Sequence, residues 1–292
     1  MSPWIEAMRL RTLPVSVAGV LAGTACAIYH HRFALPQMLI CLIFAIVAQI
    51  ASNFANEYYD FKNGLDKKGR EGYRRGVTEG DIRPGAMKRA TYLLLLIDAL
   101  LGCSLIYWGG WWLIAVGVAI AIFAVAYSAG PYPLSHHGLG DVAVVIFFGF
   151  VPVVFTEYVQ AEVLRIDSVT LCTSLAIGLL AANVLIVNNY RDCDDDRAVG
   201  KHTTVVLFGR KTMRTVYLIN GTIAMTCLAM ATTRAPQWTV AGWISIEAMV
   251  LLLWQKICAS TGTALNSMLK FTSILVLVST IYLLVVLSLW PE

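Results

Sequence analysis

Two clusters of carboxamides and carboxylates could do chemistry: Asn56-Glu57-Tyr58-Tyr59-Asp60, running on to Gly64 and Asp66, and Asn188-Asn189-Tyr190-Arg191-Asp192, running on to Asp196. Each has the form Asn-x-x-x-Asp, and each lies where a long apolar segment gives way to a charged loop. Helix residues four apart share a face, so Asn56 and Asp60 point the same way, as do Asn188, Asp192 and Asp196. Carboxylates crowded at a membrane surface repel one another unless a cation lies between them. Ligands made only of oxygen suit Mg2+, which keeps positions open for a substrate's phosphates. The pair reads as a divided cradle for a metal-bound diphosphate, with Asn56, Asp60, Asp66, Asn188, Asp192 and Asp196 as candidate ligands. Asn53 extends the first face, and Gly64 lets the chain turn to bring in Asp66. Asp194 and Asp195 fall on another face, solvated or paired with Arg197, and Asn189 lies one position off the face, placed to hydrogen-bond between helices.

The basic residues beside the clusters, Lys62, Arg70, Arg74, Arg75, Arg191 and Lys201, have two readings: they clamp phosphate oxygens, or they set topology and meet anionic lipid heads. Gly200-Lys201 followed by Thr203 is the better clamp, since a backbone turn, an ammonium and a hydroxyl converge there. Arg11, just before Pro14, can reach a substrate carboxylate. Tyr127, in Tyr127-Ser128-Ala129-Gly130-Pro131-Tyr132-Pro133-Leu134, is either an interfacial aromatic of a turn or a ring whose negative face meets a developing carbocation. Asp141 reads as a helix cap, and Asp98 and Glu247 are intramembrane acids with no evident partner.

These groups need a membrane scaffold to hold them. Of 292 residues, 58% are hydrophobic and 14% charged, with mean hydropathy +0.69, against about 25% charged in soluble domains. Nine apolar segments fall at roughly 14–31, 37–55, 90–107, 111–128, 140–158, 168–189, 213–231, 238–256 and 269–290, each long enough to cross about 30 Å of hydrocarbon. The fold expected is all-α: one polytopic membrane bundle over 1–292, about nine transmembrane helices around a central cavity, with cytoplasmic cap loops at about 60–89 and 191–212. Apart from Arg32, Arg165 and Arg234, all 22 basic residues fall on one side if the N-terminus is cytoplasmic, which faces both clusters to the cytoplasm. The repeat of the Asn-x-x-x-Asp pattern, after the second and the sixth span, divides spans one to eight into two related halves with the site between them.

Other classes recede. The net charge of +4 is explained by topology and an anionic substrate, without nucleic acid, and no obligatory protein partner is evident. The first apolar segment has a short basic lead and reads as a signal anchor rather than a cleaved peptide. Seven scattered cysteines read as small packing residues. The histidines lack metal-ligand spacing, and His30-His31 and His136-His137 read as loop residues. Gly19-x-x-x-Gly23 reads as close helix packing, and Gly149 and Pro152 loosen the fifth span.

These motifs resemble the UbiA superfamily of intramembrane aromatic prenyltransferases. The first motif, Asn56-x-x-x-Asp60-x-x-x-Gly64-x-Asp66, replaces the usual pair of aspartates and is similar to the branch that prenylates dihydroxynaphthoate in menaquinone biosynthesis. So are Arg74-Arg75-Gly76-Val77-Thr78 running to Met87-Lys88-Arg89, Gly130 to Asp141, and Asn188-Asn189-x-Arg191-Asp192-x-x-x-Asp196-Arg197 with Gly200-Lys201-x-Thr203. The resemblance implies a bacterial inner-membrane enzyme working from the lipid bilayer. It would use Mg2+ to join a polyprenyl diphosphate to this aromatic acid, with Asp60, Asp192 and Tyr127 at the chemistry. A sibling acting on 4-hydroxybenzoate or homogentisate is the alternative, and an ion-coupled transporter is a more distant one.

Overall fold

The computed structural model describes residues 2–69, 72–130 and 132–292, so Arg70 and Pro131 of the motifs above lie outside the described residues. Nine long helices run through these: α1 (Leu13–Tyr29), α2 (Leu35–Lys62), α3 (Pro84–Gly109), α4 (Leu113–Ala126), α5 (Gly140–Ala161), α6 (Ser168–Ala198), α7 (Thr204–Ala231), α8 (Thr239–Ala259) and α9 (Leu265–Leu289). Among the described residues, seven spans are long and apolar enough to cross a membrane, α4 and α7 not being among them. At 1.5 Å per residue, the 14 residues of α4 reach only about 21 Å. α7 carries Arg210, Lys211 and Arg214 in its first turns, beyond a kink at Gly209.

Local chemistry sets the helix ends. Proline occupies the first turn of α1, α2 and α3, where its missing N–H costs nothing. Asp167 caps α6, accepting from Thr170 N–H at 2.9 Å, a contact worth about 1 kcal/mol. α5 contains a π-helical turn at Val145–Phe150 and meets α1 and α6 through glycines. A Cβ on Gly23 would strike the Val153 carbonyl, and one on Gly149 the backbone of α6 at Gly178.

The two helices that bear the motifs are long. α2 has 28 residues and α6 has 31, about 42 and 46 Å, so both outrun the roughly 30 Å of hydrocarbon and carry their last turns into the interface. Both then stop in the same way. Gly64 and Gly200 adopt positive φ (70° and 77°). Beyond them, Leu65 N–H donates to Asp60 O at 2.8 Å and Lys201 N–H to Asp196 O at 2.9 Å, the double-bonded glycine termination of a helix. The cap expected at 191–212 is therefore smaller, because α6 stays helical to Ala198 and α7 begins at Thr204. The cap expected at 60–89 likewise narrows to the residues between Lys62 and Pro84.

Around these ends the loops fold back. Val77, on a short helix Gly76–Glu79, donates its N–H to the buried Glu57 carboxylate at 3.0 Å. A single backbone bridge pairs His137 with His202 and brings two loops together. At the opposite end, His30 sits in the turn after α1, as expected, but not in solvent. It is buried, with Nδ1 2.7 Å from Glu157 Oε1 and Nε2 2.7 Å from Asp167 Oδ2. Two carboxylates drawn from α5 and the α6 cap hold it inside. Glu247 also has a partner that the sequence did not reveal, Thr222 Oγ1 at 2.7 Å.

Candidate active site

One cavity of about 160 Å³ lies between the ends of α2 and α6. Asn53, Asn56 and Asp60 line it from one side, and Asn188, Asn189, Asp192 and Asp196 from the other. The i, i+4 spacing on each helix turns these groups inward together. Arg9, Arg75, Tyr127 and Lys201 add charge and an aromatic hydroxyl to the lining.

Asp60 and Asp192 each meet a cation of the chain. Lys201 Nζ is 2.8 Å from Asp60 Oδ2, and His136 Nε2 is 3.5 Å from Asp60 Oδ1. Asn56 donates to Asp60 Oδ2 at 3.3 Å and to Ser128 Oγ at 2.8 Å, and accepts from Arg9. On the other wall, Arg191 grips Asp192 in a bidentate pair (2.6 and 2.7 Å) and reaches Asn188 and Asn266, both at 2.9 Å. Asp60, Asp192 and Arg191 are all buried, so these are desolvated pairs whose partners cannot be removed cheaply.

Not every candidate reaches the cavity. Lys62 is exposed and lies off it. Asp66 also stands outside, with its carboxylate 3.5 Å from Arg75 Nε, so it holds Arg75 rather than facing the cavity itself. Arg11 lies against the Tyr73 ring, 3.1 Å from the centroid, and with Arg191 it lines a neighbouring crevice. That crevice also contains Arg9, Arg74 and Arg75. Asp194 pairs with Arg197 and Arg210 (3.4 and 3.0 Å), and Asp141 accepts from Thr204 Oγ1 at 2.6 Å.

Sequence reasoning missed Arg9, His136 and Ser128. Arg9 sits at positive φ (52°) before a short turn, which aims it where Arg11 was expected. His136 arrives through the bridge between His137 and His202 and carries no local signal.

Behind the polar end is an apolar chamber of about 150 Å³ that shares Gln49, Ser52, Phe123 and Phe148 with the first cavity. Phe44, Leu105, Val116, Phe147 and Phe155 line its depth. Phe123 and Phe147 stack with centroids 3.7 Å apart at the junction.

A divalent cation fits this donor set in a particular way. Among the described residues no three His, Cys, Asp or Glu side chains converge closely enough to hold an ion. Yet Asp60 Oδ1 is buried without a hydrogen-bond partner among those residues, and all the nearby motif donors are oxygens or amide groups. Such a site holds a cation by one or two carboxylates and leaves the remaining positions to phosphate oxygens and water.

A bundle of membrane-spanning helices with an anion-and-cation cradle at one end and an apolar chamber behind it defines an intramembrane protein built for a charged head on a greasy tail. The chain belongs to the UbiA prenyltransferase family, whose model matches residues 16–275. It is 36% identical over 263 residues to the 1,4-dihydroxy-2-naphthoate octaprenyltransferase of Escherichia coli (strain K12), covering 86% of this chain and 83% of that one. It is 35% identical over 243 residues to the protein of the same name from Mycobacterium tuberculosis (strain ATCC 25618 / H37Rv), covering 83% and 82%. Its fold is shared with a UbiA homolog from Archaeoglobus fulgidus bound to DMAPP and Mg2+, with TM-score 0.67 at 15% identity over 98% of this chain and 99% of that one.

Proposed function

We propose that this protein transfers a polyprenyl group from polyprenyl diphosphate to 1,4-dihydroxy-2-naphthoate, releasing diphosphate and CO2 and giving demethylmenaquinol for menaquinone biosynthesis. The observation that carries the reading is the meeting of two Asn/Asp helix ends at one cavity that opens into an apolar chamber. The names of the relatives above supply the acceptor.

The residues then take these roles. Asn56, Asp60, Asn188, Asp192 and Asp196 hold Mg2+, and Asp66 contributes by fixing Arg75. An ion held there would supply positive charge to the leaving diphosphate. Lys201 and Arg75 face the same oxygens and share that task, since charge-assisted contacts to phosphate strengthen as the C–O bond breaks. The apolar chamber takes the tail and keeps water from the allyl cation, with Tyr127 turning its ring toward it. Arg9, at the edge shared by cavity and crevice, with Arg11 behind, holds the acceptor's carboxylate. The ring attacks through the carbon bearing that carboxylate, and CO2 leaves.

The charge distribution supports an N-terminus and site toward the cytoplasm, and the bacterial relatives support a bacterial inner membrane. The test is purified protein with Mg2+, a polyprenyl diphosphate and acceptor labelled at the carboxyl carbon. One labelled CO2 is expected per prenylated product, with 4-hydroxybenzoate a poor acceptor. Label retained in the product, or equal turnover of 4-hydroxybenzoate, would move the protein to a sibling activity.

A further inference from the structure

The apolar chamber does not end the series of cavities. It shares Phe44, Gly102, Leu113 and Gly117 with a third cavity of about 170 Å³ between α2, α3 and α4. Ala99, Cys103, Ile114, Val118 and Ala121, which also line this third cavity, are exposed on the protein's outer surface. In a membrane that surface is lipid. The cavity therefore communicates with the tail chamber on one side and with the bilayer on the other.

Its lining is apolar except for Asp98 and the Cys103 thiol. Asp98 is only 5% exposed, and its Oδ1 is buried with no hydrogen-bond partner among the described residues. Along α3 it stands about 21 Å of helix from Pro84 and about 17 Å from Gly109, close to the middle of the bilayer. A buried polar group at that depth is costly unless something bonds to it. The cradle roles assigned above make no use of it.

We infer that this cavity binds a lipophilic ring that carries hydroxyl or carbonyl oxygens on an isoprenoid tail, with Asp98 as the hydrogen-bonding partner of a ring oxygen. The choice of ring rests on the proposed function, whose product is of this class. Three features of the cavity favour it. One carboxyl group offers one or two hydrogen bonds, which matches a ring oxygen and not a zwitterionic head. Mid-bilayer depth is out of reach of phospholipid headgroups and within reach of a hydroquinone. The shared wall with the tail chamber lets the tail of such a ligand lie where the tail of the diphosphate substrate would lie. A product held at Asp98 therefore competes with polyprenyl diphosphate and not with the aromatic acid.

The test uses the full chain in lipid nanodiscs, without substrates, and a 1,4-naphthoquinone bearing a four-isoprene tail as probe. Binding is read by quenching of tryptophan fluorescence, against a tail-only isoprenoid hydrocarbon. Saturable binding of the quinone is expected, weakened at least tenfold in Asp98→Leu and less in Asp98→Asn. Ala99→Phe, which keeps Asp98 but fills the cavity from its lipid side, should weaken it comparably and guards against a folding defect in the first variant. Asp60→Ala, at the other end of the series, should bind as the unaltered protein does. Affinity in Asp98→Leu and Ala99→Phe unchanged from that of the unaltered protein would overturn the inference, as would equal binding of the hydrocarbon or loss of binding in Asp60→Ala. Turnover is not needed for this measurement. A failure to prenylate the naphthoate would thus refute the proposed function while leaving the binding result to be judged separately.

Discussion

Replacing Lys201 by Met tests whether a side-chain cation and a bound metal share one position. The substitution keeps the unbranched stem of the side chain, one atom shorter, and removes an ammonium 2.8 Å from Asp60 Oδ2. Asp60 is fully buried and Lys201 only 9% exposed, so the carboxylate cannot turn to water. Removing one partner of a buried pair costs about 3–5 kcal/mol. Asn56 at 3.3 Å and His136 at 3.5 Å remain beside the carboxylate, which places the expected loss near the lower end, about 3 kcal/mol. Adding Asp60→Asn should recover most of that, because the amide carries no charge to strand. Mg2+ at about a hundred times its dissociation constant stabilises by roughly 2.7 kcal/mol, so it should restore Lys201→Met almost fully. The unaltered protein should gain less, since there the ion must displace the ammonium. The assay is equilibrium unfolding in mixed micelles, with EDTA and with Mg2+, for the four proteins. If Lys201→Met is as stable as the unaltered chain in EDTA, or if Mg2+ stabilises both equally, the reasoning fails.

Asp60→Ala and Asp192→Ala should each remove nearly all turnover while leaving the helical circular dichroism intact, and EDTA should reversibly do the same; full activity in either variant would sink the metal cradle. Arg9→Ala should raise the KM for the aromatic acid roughly 10- to 150-fold, the equivalent of losing one charge-assisted contact of about 1.5–3 kcal/mol, and Arg11→Ala should raise it less, because Arg11 lies on Tyr73. An equal effect of the two would return the carboxylate to Arg11. At the opposite end of the bundle, burial works against ionisation of Asp167, but the Thr170 N–H and the His30 ring outweigh it and hold its carboxyl below the ordinary range. Its share of stability is thus present above its unfolded value of about 3.9 and is lost as pH falls through the lower folded one. His30, Glu157, Glu292 and Arg165 face one another in this cluster. Thermal unfolding of Asp167→Asn, which keeps the cap, should therefore converge on that of the unaltered protein below about pH 4; a constant gap down to pH 3 would exclude Asp167 as the titrating group.

The all-helical membrane bundle was legible in the sequence because hydrocarbon thickness sets the length of an apolar run and loop charge sets its ends. The inward faces of the motifs followed from the helical period alone: Asn56 with Asp60, and Asn188 with Asp192 and Asp196, line one cavity. What spacing could not supply is what loops bring from elsewhere. His136 reaches Asp60 through a bridge between loops far apart in the chain, and Arg9 reaches Asn56 from its own position at positive φ. Arg191 looked like a phosphate clamp from its neighbours, yet its guanidinium is committed to Asp192, Asn188 and Asn266. Only three-dimensional contacts decide which of several nearby cations is already engaged.

The helix ends also correct the register of the internal repeat. By sequence pattern Asn56-x-x-x-Asp60 aligns with Asn188-x-x-x-Asp192. By geometry the match lies one turn later. Asp60 and Asp196 each supply the carbonyl that closes a glycine-terminated helix, four residues before Gly64 and Gly200. Asn56 then corresponds to Asp192, so one half of the cradle has an amide where the other has an acid. That asymmetry reduces the charge that must be neutralised on the α2 side. The residue following each glycine differs too: Leu65 after Gly64, Lys201 after Gly200. The turn that ends α6 fixes the backbone of Lys201, and from there its ammonium crosses to Asp60 on α2. The termination of α6 thus delivers the cation that the carboxylate of α2 requires, whereas Asp192 is met by Arg191 of its own helix.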